Sequence, residues 1–239
     1  MTDLVISEIT QMGPGFCVIG IEETEGLFRS IRPIPPVGYS WRLFDHKRGD
    51  ILRFELTTKV SFSPHVEDRK SAGVPGIVGR RTESDLLKCL RRAEVADQVK
   101  HLFGCELREN PMGGPSVWVD PNEAKRSICG CSFDNVHFVV HLERIRVALS
   151  LPSGETLRGL PLVDRDWNGF AEQCLKRIAG PDTRKKLQHF LNTKIRHAIP
   201  NRSAGFARIG LSRPLEERCW LMLDSLFPLP QPAWLDDLD

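Results

Sequence analysis

The sequence predicts a mixed, β-rich α+β fold in which short strands wrap into small barrels or sandwiches and helices pack on them as accessories. Three observations predict it. Apolar, β-branched runs recur at intervals of about 10 residues between turn signals, the spacing of small barrels and sandwiches. Gly 19 and Pro 17 are spread along the 239 residues, which suits many turns rather than a helical bundle. Hydrophobic residues at 41% and charged residues at 27% are ordinary for a globular chain, which excludes collagen, coiled coil and wholesale disorder. The length allows one large domain or two of about 120 residues each.

In the first half, residues 4–9 are apolar and β-branched, Gly13-Pro14-Gly15 turns the chain, and 17–21 is apolar again. Residues 22–26 form a polar hairpin candidate, and 27–34 returns with alternation. Residues 51–62 alternate as one half-buried strand with a single phase slip. Thr82-Glu83-Ser84-Asp85 then has the form of a capping box. Leu86, Leu90, Ala93, Val95, Val99, Leu102 and Phe103 continue as a helical stripe, and Gly104 stops it. Asn110-Pro111-Met112-Gly113-Gly114-Pro115 is the strongest boundary signal in the chain.

After it, strands are expected at 116–119, at 127–133 and along 136–151. In that last run Phe138, Val140 and Leu142 share one parity, whereas Ile145, Val147 and Leu149 share the other, so a bulge or sharp bend is expected near Glu143-Arg144. Bent first strands are a feature of small closed barrels. Pro152-Ser153-Gly154 turns into a strand at 156–163. Asp166 is expected to cap a helix at 167–179, with Trp167, Phe170, Ala171, Cys174, Leu175 and Ile178 on one stripe and Gly180 at its end. Asp182 caps a second, with Leu187, Phe190, Leu191, Ile195 and Ala198 apolar and Pro200 as the stop. Strands at 206–211 and 219–227 close the chain, and 228–239, Pro-rich then acidic, reads as a loose tail. No short-period repeat is present, yet both halves follow a plan of strands and then helix.

Short motifs in both halves carry a family likeness. Gly15-Phe16-Cys17-Val18-Ile19-Gly20-Ile21, Gly26 and Ser30-Ile31-Arg32-Pro33-Ile34 open the chain. Leu162-Val163-Asp164, Asp166-Trp167, the run from Ala207 to Pro214 and Cys219-Trp220-Leu221 follow later. Together they resemble the bacterial dual OB-containing domain family over roughly residues 4–227. Ser30 stands where the family's pattern has Trp. The resemblance implies two tandem OB-like β-barrels with accessory helices, and nucleic-acid binding. The expected division is an N-terminal barrel plus helix at 1–109, a second barrel with two helices at 110–227, and the acidic tail at 228–239, with the join around 104–115.

Several chemistries find little support. Cys129-x-Cys131 offers a single pair of thiolates, whereas a structural zinc normally shows two paired ligand knuckles. Buried thiols are the plainer reading, and no metal or cofactor is expected. His137 and His141 lie four residues apart in a predicted strand, about 13 Å at 3.3 Å per residue, too far for one ion. They read as surface histidines or as contacts to a ligand. Glu123-Ala124-Lys125 with Asp120 has the elements of a Mg²⁺-dependent nuclease, but Asp120-Pro121-Asn122 is a turn signature. No Walker-type phosphate loop and no nucleophile elbow is present. There is no apolar run of membrane-spanning length, the start lacks the features of a secretory signal, and seven irregularly spaced cysteines suit a reduced, cytoplasmic protein.

The remaining reading is a non-catalytic protein that binds nucleic acid, expected as single-stranded DNA or RNA, by backbone charge and base stacking. One candidate group is Phe28, Arg29, Arg32, Tyr39, Trp41 and Arg42, where aromatic and basic residues interleave. The other is the helix capped by Asp182, with Arg184, Lys185, Lys186, Lys194 and Arg196, followed by Arg208. The net charge of +2 hides this asymmetry: residues 182–213 hold eight Lys/Arg and one Asp, and 214–239 hold one Arg and six acids. The acidic tail is therefore a candidate to fold over the basic helix. The alternative is a protein-interaction subunit, an accessory part of a multi-component complex without nucleic-acid contact.

Overall fold

The computed structural model describes residues 1–12, 15–36, 45–60, 63–112, 116–141, 144–178, 180–199 and 205–238. Strand takes 46% and helix 21%, so the fold is mixed and β-rich, as the sequence predicts. The chain opens as an antiparallel meander of β1 (Thr2–Met12), β2 (Gly15–Thr24) and β3 (Leu27–Ile34). Its alternation serves two cores. Leu4 and Ile6 of β1 face the sheet's own interior with Val18, Ile31, Leu52 and Phe54. Val5 points the other way, onto Leu86, Leu90, Phe206 and Phe227. The first strand is thus buried on both sides and holds the molecule together.

The single strand expected at 51–62 is broken at Glu55 into β4 (Asp50–Phe54) and β5 (Leu56–Lys59). Its two pieces pair with opposite ends of the sheet. β4 lies antiparallel to β1, and β5 lies against β6 (Asp68–Ser71), which itself runs parallel to β3. The order β5-β6-β3-β2-β1-β4-β7 therefore curls on itself, with β7 (Gly76–Arg80) as an edge. Neither β6 nor β7 is legible in the sequence, because both are short and β6 is largely polar.

The capping box at Thr82 is present: its Oγ1 accepts from the Asp85 amide, at the head of α1 (Glu83–Leu90). The helix is much shorter than its apolar stripe. Glu94 takes a left-handed φ of +36°, and Gly130 draws the chain into backbone pairing through Gly130 N to Glu94 O and Ala96 N to Gly130 O. Leu102 and Phe103 are buried as the stripe requires, but from irregular backbone. A buried position can recur at helical spacing without a helix.

The second half contains β8 (Arg108–Glu109), β9 (Val117–Val119), β10 (Ile128–Phe133), β11 (Asn135–His141), β12 (Arg144–Ser150) and β13 (Thr156–Pro161). Helices α2 (Arg165–Arg177) and α3 (Thr183–Ala198) precede β14 (Gly205–Leu211) and β15 (Cys219–Phe227). β8 and β9 pair with each other and extend one sheet, β10-β14-β15-β9-β8. The parity change in 136–151 marks a full reversal: β11 and β12 are a hairpin with His141 opposite Arg144, and β13 completes a three-stranded sheet. The cap of α2 is Asp164 rather than Asp166, because its side chain accepts from the amides of Asp166 and Trp167.

One large core joins this half, including Phe138, Leu149, Leu160, Trp167, Leu187, Leu191 and Leu223. The terminal segment is not loose. Pro232–Asp237 forms a 3-10 helix with Leu235 buried, and Trp234 lies about 6 Å from both Trp167 and Phe170. Among the described residues no helix is long and apolar enough to cross a membrane.

Candidate functional site

Two of the arginines expected to contact a ligand are interior. Arg208 is 0% exposed and paired with the equally buried Glu8. Its remaining donors go to the Ala93 carbonyl and the Ser30 hydroxyl. Ser30 in turn donates to Glu94 from its amide and its hydroxyl. Burial works against the Arg208 cation, but Glu8 and Glu94 outweigh it and hold its pKa above the ordinary value. Arg32 is spent in the same way on Asp68, His65 Nδ1 and Ser127. These two residues leave the candidate surface because they have no face toward solvent.

A third interior arginine, Arg48, clamps Asp164, Asp166 and Ser225. Together the three guanidiniums stitch β1, β3 and the chain before β4 to the second half of the molecule. A guanidinium cannot accept a hydrogen bond, so His65 Nδ1 facing Arg32 must be the acceptor and the ring is neutral. Burial and the Arg32 charge push that imidazole down to about 3. Nearby, burial pushes the Asp224 carboxyl up to about 7.

Tyr39, Trp41 and Arg42 lie outside the described residues. Phe28 is half-buried, and the Arg92 guanidinium covers its ring at 4.2 Å. Arg29 is exposed beside it. Trp118, which the sequence reading passed over, borders an open cleft of about 630 Å³. Arg108 and Arg218 both lie 5.1 Å from its ring, and Asp120, Glu216 and Glu217 line the cleft. The two guanidiniums are offset by these three carboxylates, so the cleft offers phosphate no net attraction.

The basic helix is where the prediction gains geometry. The apolar stripe Leu187, Leu191 and Ile195 enters the core. Next to it, Gln188 and Asn192 reach the open edge of β11. Gln188 Oε1 accepts from the Val140 amide at 3.0 Å, and Asn192 accepts from the Phe138 amide and donates to the Phe138 carbonyl. Two amide side chains one turn apart thus stand in for a neighbouring strand. At 3.6 residues per turn, Lys185, His189 and Arg196 fall within about 40° of one another on the flank just beyond that line. All three are exposed. Lys185 meets Asp182 at 3.5 Å, an exposed pair that water and salt screen.

Arg184 and Lys186 are exposed elsewhere on the helix, Lys186 on the far flank. Lys194 also lies on that side, paired with Asp237 at 2.5 Å and set over Phe190. The acidic end of the chain therefore does fold onto the basic helix, but onto the flank away from β11.

The flank with Lys185, His189 and Arg196 continues onto the outer face of the three-stranded sheet. The inward parity, Phe138, Val147, Leu149, Leu157 and Leu160, is buried. Outward lie His137, Val139 and His141 of β11, then Arg144 and Arg146 of β12, then Arg158 of β13. Sequence reading picked out the two histidines and missed these arginines. The signal was available: β11, β12, β13 and α3 together hold eight Lys/Arg and no Asp or Glu.

Other candidate chemistry dissolves into structure. Cys129 and Cys131 are buried on β10, their thiols pushed by burial up to about 11 and about 12. Glu123 sits in the expected turn and pairs with Arg108. Among the described residues no three His, Cys, Asp or Glu side chains come together to hold a metal ion.

Fold and surface together define a β-rich protein with one predominantly cationic face. No protein-family model matches the chain, and no curated protein matches it. Among solved structures, a murine DNA-binding protein bound with double-stranded DNA matches 94% of this chain and 95% of its own at 8% identity, with a TM-score of 0.30. A likeness that low carries no argument.

Proposed function

We propose that the protein is a non-catalytic nucleic-acid-binding protein, built on two OB-like barrels, that holds phosphates on the face shared by β11–β13 and α3. The observation that carries this reading is that Lys185, Arg196, Arg144, Arg146 and Arg158 share one face, built from elements that hold no Asp or Glu in 36 residues. The chain as a whole has 31 acids in 239 residues, so at its average these 36 residues would hold four or five. A field of one sign attracts a polyanion and concentrates it there.

Two features of the strand pairing support the barrel reading, which the motif resemblance also favours. In the first half a meander is closed by a parallel pair, β3 with β6, and by the bent β4–β5 segment. In the second, the meander β11–β13 follows β10 after Asp134, and Leu162 bridges Leu223 of β15 in parallel. The helices lie between β13 and β14, where they position α3 beside β11.

Affinity against salt tests the function. Four phosphate contacts give a log–log slope of about −3.6, so binding should weaken about a hundredfold between 50 and 200 mM salt. Arg144→Glu with Arg158→Glu should flatten that slope. A slope near zero in the unaltered protein refutes the reading. A protein-interaction role has one observation on its side: the edge strand β7 exposes Ile77 and Val78. A stable protein partner co-purifying free of nucleic acid would favour it.

A further inference from the structure

From the layout of the cationic face we infer that its ligand is a duplex gripped by both backbones, not a single strand read by stacking. The inference rests on the function proposed above and deepens it. The cations fall into two rows. Lys185 and Arg196 form one on the outer flank of α3, and Arg144, Arg146 and Arg158 form the other on β12 and β13. Between them runs β11, which presents His137, Val139 and His141.

The hydrogen bonds from Gln188 and Asn192 fix how the rows lie. Asn192 meets Phe138 and Gln188 meets Val140, so α3 runs antiparallel to β11 with Lys185 toward His141 and Arg196 toward His137. Each row therefore follows the strand direction. A helix is about 10 Å across and strands lie about 4.8 Å apart, which separates the rows by roughly 10–15 Å. One strand of nucleic acid offers a single line of phosphates and can follow only one row. A duplex offers two lines bordering grooves about 6 and 12 Å wide, which matches a pair of rows with a strip free of Lys, Arg, Asp and Glu between them.

The middle of the face agrees. Proteins that hold single strands place aromatic rings under successive bases. Among the described residues the outer positions of β11, β12 and β13 and the outer flank of α3 carry no Phe, Tyr or Trp. Their central contacts are two imidazoles and the valine Val139, 41% exposed. Arg146 is also pinned, donating to Ser116 Oγ and the Gly159 carbonyl, which fixes a charge rather than a platform.

The test is fluorescence anisotropy at fixed salt with a blunt DNA duplex of about 20 base pairs and an oligo-dT strand of about 20 nucleotides. The duplex should bind at least tenfold tighter. Lys185→Glu with Arg196→Glu, and separately Arg144→Glu with Arg158→Glu, should each weaken duplex binding tenfold or more, with circular dichroism unchanged. Oligo-dT binding as tightly as the duplex overturns the inference and leaves the function standing. Loss of duplex affinity from one pair of substitutions but not the other also overturns it, because a single row would then suffice. Failure of both probes to bind overturns the proposed function itself.

Discussion

Asp224 is the extra residue at a bulge in the β14–β15 pair, between Ser225 opposite Arg208 and Leu223 opposite Ile209. Its carboxylate lies so close to Gly210 that a Cβ there would stand 1.9 Å from Oδ2, which is why only glycine fits. The buried carboxyl, near 7, and the buried His65, near 3, give opposite pH dependences. Between about pH 4 and 7 the folded chain keeps a proton on Asp224 that the unfolded chain releases, so stability falls as pH rises. Between about 6.5 and 3 the unfolded chain takes a proton on His65 that the folded chain refuses, so stability falls as pH drops. The two slopes oppose each other from pH 4 to 6.5. Asp224→Asn removes one of them. Its urea-unfolding free energy, relative to the unaltered protein, should therefore rise with pH across that window, by up to about 1.4 kcal/mol per pH unit. Parallel profiles for the two proteins would show that Asp224 does not titrate there. None of this was legible in the sequence, where Asp224 is one acid in an acidic stretch and its burial depends on a bulge.

At the scale of elements, periodicity found the strands of the first meander, both long helices and the closing strands, because each buries a regular face. It misjudged α1, where the same spacing of apolar residues is met by irregular chain paired to β10. It gave the apolar stripe of α3 correctly but said nothing of the stripe beside it. Gln188 and Asn192 look like solvated residues until β11 is placed against them, and that neighbour lies about fifty residues earlier in the chain. Asn192→Ala should cost about 1–3 kcal/mol, since the Phe138 amide and carbonyl both lose their partner. Denaturant unfolding would measure that cost, and hydrogen exchange at the Phe138 amide should accelerate. Unchanged exchange would mean that water replaces the side chain without loss. The terminal 3-10 helix was likewise hidden: it opens on Pro and ends on two Asp, while Trp234 and Leu235 anchor it in the core.

Across the whole molecule, the polar anchors of the family-like motifs lie mostly inside. Arg32, Asp164, Asp166 and Arg208 belong to the seam where the two halves meet, and the Ser30 hydroxyl joins the same network. Arg32 and Arg208 were legible as motif residues and misread as surface, because an arginine alone gives no sign of a partner; Glu8 is 200 residues from Arg208. Arg208→Met should cost about 3–5 kcal/mol, since Glu8 is left charged and buried, and pairing it with Glu8→Leu should recover most of that loss. A near-neutral single substitution in chemical denaturation would show that the pair is not desolvated. The amide stitching between α3 and β11 has a consequence of another kind. The charges on the helix and on the sheet cannot drift apart as independent surfaces, because their relative position is set once, when the chain folds. A polyanion arriving at this face meets a rigid plate, so little ordering entropy remains to be lost on association, and affinity should respond to the spacing of the charges as much as to their number.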